Sequence, residues 1–177
     1  MDFAVEIVTR GVDYTRFRRV YNSEEFNREV AQAAKLKERT LLEHSKSPDG
    51  KEYKRVRITP NISLPGPVQK LFPGGQFSYE EVTILDPKSR TATYAIETTA
   101  GDKISVSGLA TYVEETGLVR LRFEGAANVK IFGLGSFVEK YLIGEVKQRY
   151  ELVQRLLQAF IDEGRDTNLT PSIPIPR

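Results

Sequence analysis

From Ser136 to Gly164 the chain repeats Val138, Leu142, Val146, Arg149, Val153, Leu156 and Phe160 at intervals of three or four. Tyr141, Tyr150 and Leu157 widen the stripe, while Lys140, Lys147, Gln148, Gln154 and Arg155 hold much of the remaining surface. This spacing lays the apolar groups along one face of an α-helix. Ser136 with Glu139 reads as a capping box and Gly164 as a stop, so the pattern predicts one helix over 136–163. A helix of that length with one broad apolar face must bury it against something of similar extent. Leu142, Val146 and Val153 are the positions expected to face that partner.

The rest of the chain supplies a sheet. Residues 3–12 are rich in β-branched types and read as a first strand. Asn22 stands three residues before Glu25, a capping-box spacing that opens a short helix with Phe26, Val30, Ala33 and Ala34 inward and an end near Lys35. Period-two alternation then runs through Arg39–His44 and Tyr53–Ile58, on either side of the turn Lys46-Ser47-Pro48-Asp49-Gly50. Further strands are expected near 77–85, 91–99, 103–114 and 118–131, joined by short turns that imply an antiparallel meander. The fold class is therefore α+β: a curved antiparallel sheet of about six to seven strands, a short helix after the first strand, and the long C-terminal helix as cover. Residues 1–164 read as a single domain, and 165–177, which end Thr-Pro-Ser-Ile-Pro-Ile-Pro-Arg, as a flexible proline-rich tail.

Composition removes several function classes. With no cysteine there is no disulfide, thiolate metal site or cysteine nucleophile, and one histidine, His44, leaves no two-histidine metal motif. No metal or other cofactor is expected. Twenty-six basic residues against 24 acidic ones give +2, too even a balance for a dedicated nucleic-acid binder. The first residues lack a basic segment followed by an apolar run, and no stretch reaches the ~20 apolar residues of a membrane span, so the expected compartment is cytoplasmic. Oligomeric state is not legible.

Candidate sites follow from which side chains share the helix-facing side of the sheet. Tyr79, Tyr94, Ile96, Val106, Tyr112, Leu121 and Phe123 from the strands, with Leu142, Val146 and Val153 from the helix, are expected to line an apolar cavity. Gly108, Ala110, Ala126 and Ala127 leave space that a packed core would fill, although small residues also ease sheet curvature. The tyrosine hydroxyls either orient a ligand's polar end or reach solvent at the sheet rim. His44 shares a face with Leu42 in strict alternation; it is a polar handle or general base there, or simply structural. Gly133-Leu-Gly135 lacks the third glycine and the βαβ setting of a phosphate loop and reads as a turn. Arg16, Arg18 and Arg19 around Phe17 form the densest basic cluster, either a solvated turn or a contact for acidic headgroups.

Residues 60–75 break every period with prolines and glycines yet carry Ile62, Leu64, Val68, Leu71 and Phe72. A solvated linker would not hold so many large apolar groups, so the segment covers something. Leu64, Val68, Leu71 and Phe72 are candidates for a gate over the cavity, with Pro67 opening a single helical turn that a membrane surface could meet. A static core loop is the alternative.

The segments Phe77–Asp86, Leu118–Phe123 and Gly133–Leu142, in this order of elements, resemble the START-like or SRPBCC superfamily, the helix-grip fold. Within it the chain looks most like bacterial domains of uncharacterised function and, more distantly, like PRELI-like lipid-transfer domains. The resemblance extends to about Gly164. It implies binding, transport or sensing of a hydrophobic small molecule, a lipid or a sterol- or polyketide-like ligand, between sheet and helix. A minority of such proteins are cyclases or hydrolases, and that is the alternative; an interaction module with a filled core is another. No catalytic residue carries over, because no catalytic motif of the superfamily is present to match.

Overall fold

The computed structural model describes residues 1–64, 66–70, 72–133 and 135–170. Its elements are β1 (Asp2–Arg10), α1 (Tyr14–Tyr21), α2 (Glu24–Ala33), β2 (Glu38–Lys46), β3 (Glu52–Thr59), a single turn α3 (Gly66–Gln69), β4 (Tyr79–Asp86), β5 (Thr91–Thr98), β6 (Ile104–Glu115), β7 (Leu118–Val129) and α4 (Gly135–Asp162). The strands form one antiparallel sheet in the order β1-β7-β6-β5-β4-β3-β2. Successive strands pair through short turns from β2 to β7, and β1 closes on β7, so the two edges are β1 and β2. This is the α+β helix-grip arrangement, with α4 lying across the concave face.

Local expectations needed four corrections. Residues 14–21 are a helix, not a basic turn: Asp13 accepts from the Arg16 backbone N–H at 2.7 Å, and Phe17 and Val20 are buried. Two turns of helix are too short for a 3.6-residue period to stand out. Asn22 ends this helix, and the N-cap of α2 is Ser23, whose buried hydroxyl donates to the Val20 carbonyl at 2.9 Å and accepts from the Phe26 N–H at 3.2 Å. Ser136 lies inside α4, and Glu139 is not closing a capping box; its carboxylate accepts from the Val129 N–H at 3.0 Å and pairs with the N-terminal ammonium at 3.4 Å. The stop is as read: Gly164 at φ 64° donates to the Ile161 carbonyl at 3.1 Å.

The fourth correction concerns the register of β2. It shifts against β3 between Leu41 and Glu43, so Leu42 is an extra residue and the alternation reverses. Opposite β3 stand Arg39 with Ile58, Leu41 with Val56 and His44 with Lys54. His44 therefore shares the inner face with Arg39 and Leu41, not with Leu42.

Helix α4 packs on β1 and β7, at one side of the sheet, and on α2. Val153, Leu157, Phe160 and Ile161 are buried there with Ile7, Val119 and Leu121. A second cluster gathers Val56, Ile58, Phe77, Val129 and Val138, and Leu64, Val68 and Phe72 are buried within it. Leu71 lies outside the described residues. Residues 165–170 fold back on the domain: Asp166 is 3% exposed and bonded to Arg16 at 2.5 and 2.9 Å, and Thr170 reaches Glu25 at 2.7 Å. The remainder of the expected tail, 171–177, is outside the described residues. Among those residues no helix is long and apolar enough to cross a membrane.

Candidate ligand cavity

Because α4 rests on β1 and β7, the middle strands stand away from it and leave space on their inner face. The larger void there offers about 90 Å³ to the centre of a water-sized sphere, and about 790 Å³ when its open mouth is included. A single water needs about 10–15 Å³ on the first measure, so several fit. Its walls are Phe3, Phe77, Ile96, Ile104, Val106, Leu142 and Val146, with Pro60 and Ile62 on the loop after β3. Tyr79, Glu81, Glu145 and Arg149 bring polar groups to it. The Tyr79 hydroxyl and the Arg149 guanidinium are hydrogen-bonded to each other.

A second void of about 60 Å³ by the same measure lies beyond it, toward α1. Arg18, Asn22, His44, Glu52, Lys54 and Tyr112 line it with Leu85, Ala92, Ala110 and Phe123. Glu81, Tyr94 and Tyr150 border both voids and form the wall between them. Tyr94 gets room from Gly108 and Gly125, which face each other across β6 and β7. A Cβ on either glycine would come within 2.6 or 2.5 Å of the Tyr94 hydroxyl. That hydroxyl has no hydrogen-bond partner among the described residues, and burial pushes its pKa up to about 12.

The second chamber is strongly charged. Glu52 is held by Arg18 at 2.6 Å and Lys46 at 3.1 Å, with His44 Nε2 at 3.9 Å. The His44 imidazole first, then the two cations, hold its carboxyl down to about 2. His44 itself is buried, 7% exposed, not at the solvated end of the hairpin. Lys54 reaches Asn22 Oδ1 at 3.4 Å. Burial, reinforced by the Arg39 and Arg18 charges, lowers its pKa to about 8 against the opposing pull of Glu81 and Glu52. Burial likewise lowers Arg39 and raises Tyr21, Tyr112 and Tyr150.

Six of the ten residues expected to line a cavity line the larger void: Tyr79, Tyr94, Ile96, Val106, Leu142 and Val146. Tyr112 and Phe123 line the second. Leu121 and Val153 line neither; they are 0% and 7% exposed in the solid core, because α4 sits directly on β7 there. Leu64, Val68 and Phe72 lie in the second core cluster, whereas the larger void is bordered by Pro60, Ile62 and Phe77.

The charged interior was missed, and β4 carried the signal. Tyr79, Glu81, Thr83 and Leu85 alternate with Glu80, Val82 and Ile84, and the set that faces inward contains the carboxylate while Ile84 is 43% exposed. A strand that turns Val82 and Ile84 outward and Glu81 inward departs from ordinary amphipathic reading. Arg149, in the middle of the α4 stripe, was the second visible sign.

Comparison with known proteins places this architecture. The protein TTHA0849 from Thermus thermophilus is similar with a TM-score of 0.64 at 10% identity, over 93% of this chain and 99% of that one. A START superfamily protein from Mycobacterium smegmatis aligns at 0.56 and 16% identity, covering 92% and 97%. The Zhui aromatase/cyclase from Streptomyces sp. R1128 aligns at 0.56 and 13%, covering 92% and 95%. At such identities the likeness is one of fold. No curated protein is significantly similar in sequence. Residues 8–161 match the family described as "Protein of unknown function (DUF2505)". The chain belongs to that family, and its fold is the START-like helix grip.

Proposed function

We propose that this chain binds a hydrophobic small molecule, lipid-like or polyketide-like, in the larger void between the sheet and α4. One observation carries the reading: an apolar space framed by β4–β6, the loop after β3 and α4 stays open on the inner face, while the β1–β7 side is filled by buried core residues. Natural cores rarely leave such space unfilled, and ligand sites are concave, apolar and fitted with a few polar groups. Tyr79 and Arg149 are the polar groups here. Exchange would proceed past Pro60, Ile62 and Phe77, with Leu64, Val68 and Phe72 as the buried root on which that loop turns. Any membrane encounter would use the pole bearing Phe132 and Phe137, 104% and 57% exposed beside exposed Lys130 and Lys140. The arginines of α1 are instead committed to Asp166 and Glu52.

The test is native mass spectrometry of freshly purified protein with solvent extraction and lipid analysis, followed by titration with the neutral dye N-phenyl-1-naphthylamine. Saturable dye binding is expected, weakened at least about tenfold by Val106→Trp, whose added bulk occupies the void, with circular dichroism verifying that the variant folds. A wild-type protein that binds no dye and releases nothing on extraction overturns the reading.

A further inference from the structure

The charges inside this grip do not balance. Arg18 of α1 and Lys54 of β3 line the second chamber, Arg149 of α4 borders the larger void, and Arg39 of β2 shares their inner face. The carboxylates are Glu52, Glu81 and, on the outer lip beside Pro60 and Ile62, Glu145. Glu52 is already engaged by Arg18, Lys46 and His44. Among the described residues, Lys54 has no carboxylate within 4.0 Å and a single hydrogen bond, at 3.4 Å, and Arg39 has no ion pair or hydrogen bond. Buried cations are ordinarily paired, because an uncompensated charge in a poorly solvated interior is costly. Here Lys54, without a carboxylate in contact, lies across Tyr94 and Tyr150 from an apolar chamber.

Resting on the hydrophobic-ligand reading above, we infer that the second chamber is a head-group site for an anionic amphiphile. A carboxylate or phosphate head seats against Lys54 beside Arg18, and the chain runs along Tyr94 and Tyr150 into the apolar chamber. The head supplies the contacting counter-charge that Lys54 lacks, and the chain fills the space that the core leaves open. Lys54 gives binding a pH dependence. The groups facing it are His44 and Arg39 from β2, Glu52 from β3, Glu81 from β4, Arg18 and Tyr21 from α1, Tyr94 and Tyr112 from the sheet, and Tyr150 from α4. Glu52 is held down to about 2, and the tyrosines are raised above their ordinary range. Lys54, lowered to about 8, loses its charge between pH 7 and 9.5.

The experiment displaces N-phenyl-1-naphthylamine from the full chain with laurate, dodecyl phosphate or 1-dodecanol. At pH 7 the two anions should bind at least about tenfold more tightly than the alcohol, a difference of about 1.4 kcal/mol. Lys54→Met should abolish that preference. Laurate affinity should fall about tenfold from pH 7 to 9.5 as the amine deprotonates. Lys54→Arg should keep the preference and remove the fall, which holds the test open if Lys54→Met does not fold. Equal binding of laurate and dodecanol by the wild type, or an unchanged preference in Lys54→Met, overturns the head-group site while dye binding leaves the cavity reading standing. Absence of dye binding sinks both. Displacement of laurate by millimolar inorganic phosphate would mark a site for free anions and overturn the amphiphile.

Discussion

Replacing Gly125 with alanine puts a methyl group where β6, β7 and Tyr94 converge. The added Cβ would stand 2.5 Å from the Ser107 carbonyl oxygen and 2.5 Å from the Tyr94 hydroxyl, with the Gly108 Cα at 3.2 Å. Two of these neighbours are backbone of the paired strand and cannot swing aside; the third is the end of a ring packed at 5.7 Å against Phe123. Relief requires the strands to part or Tyr94 to leave its place between the chambers. Overpacking of this kind costs about 1–3 kcal/mol, and contacts this short argue for the upper part of that range. A chain of this size loses about 2–4 °C of Tm per kcal/mol, so Gly125→Ala should melt about 4–12 °C below wild type. Thermal unfolding followed by circular dichroism measures it, with urea titration as a second reading of the same difference. Tyr94→Phe removes one of the two shortest contacts together with a buried hydroxyl that has no partner among the described residues, and should be close to neutral alone. In the double variant it should restore part, but not all, of the loss, since the Ser107 carbonyl remains. A Tm for Gly125→Ala within about 2 °C of wild type, below the smallest loss expected on that scale, would refute the argument that these strands are locked against each other.

Leu157, 0% exposed between α4 and the β1–β7 side of the sheet, should cost about 2–5 kcal/mol on change to alanine, whereas Val146→Ala at the cavity wall should cost under about 1.5 kcal/mol; equal urea midpoints would show that the core is not asymmetric. Glu52 titrates from about 2 in the fold against 4.5 ordinarily, so the stability it contributes is present above about pH 4.5 and is lost as pH falls toward 2. Glu52→Gln should flatten that limb of an acid-unfolding curve, and an unchanged limb would remove Glu52 from the account.

Much of this architecture is local and therefore readable in one dimension. The period of α4, the Gly164 stop, and the alternation and turns of β3 to β7 depend on neighbours a few residues apart, and each stands where the residue pattern puts it. Tyr79, Tyr94, Ile96, Val106, Leu142 and Val146 reached the cavity because strict alternation and helical spacing decide which way a side chain points. What the sequence could not decide was where α4 would rest. Its stripe is apolar on both sides of Arg149, but it settles on β1 and β7; Leu121 and Val153 are sealed in solid core, while the strands farther along the sheet are left facing a void. Nor could it show that one extra residue at Leu42 turns Arg39 and His44 to the same side. The charged chamber exists only because that bulge, the inward Glu81, Lys54 on β3 and Arg18 on a two-turn helix converge from separate parts of the chain. Periodicity is a property of adjacent residues, whereas the pairing of buried charges is a property of distances between strands and helices that only the folded chain brings into being.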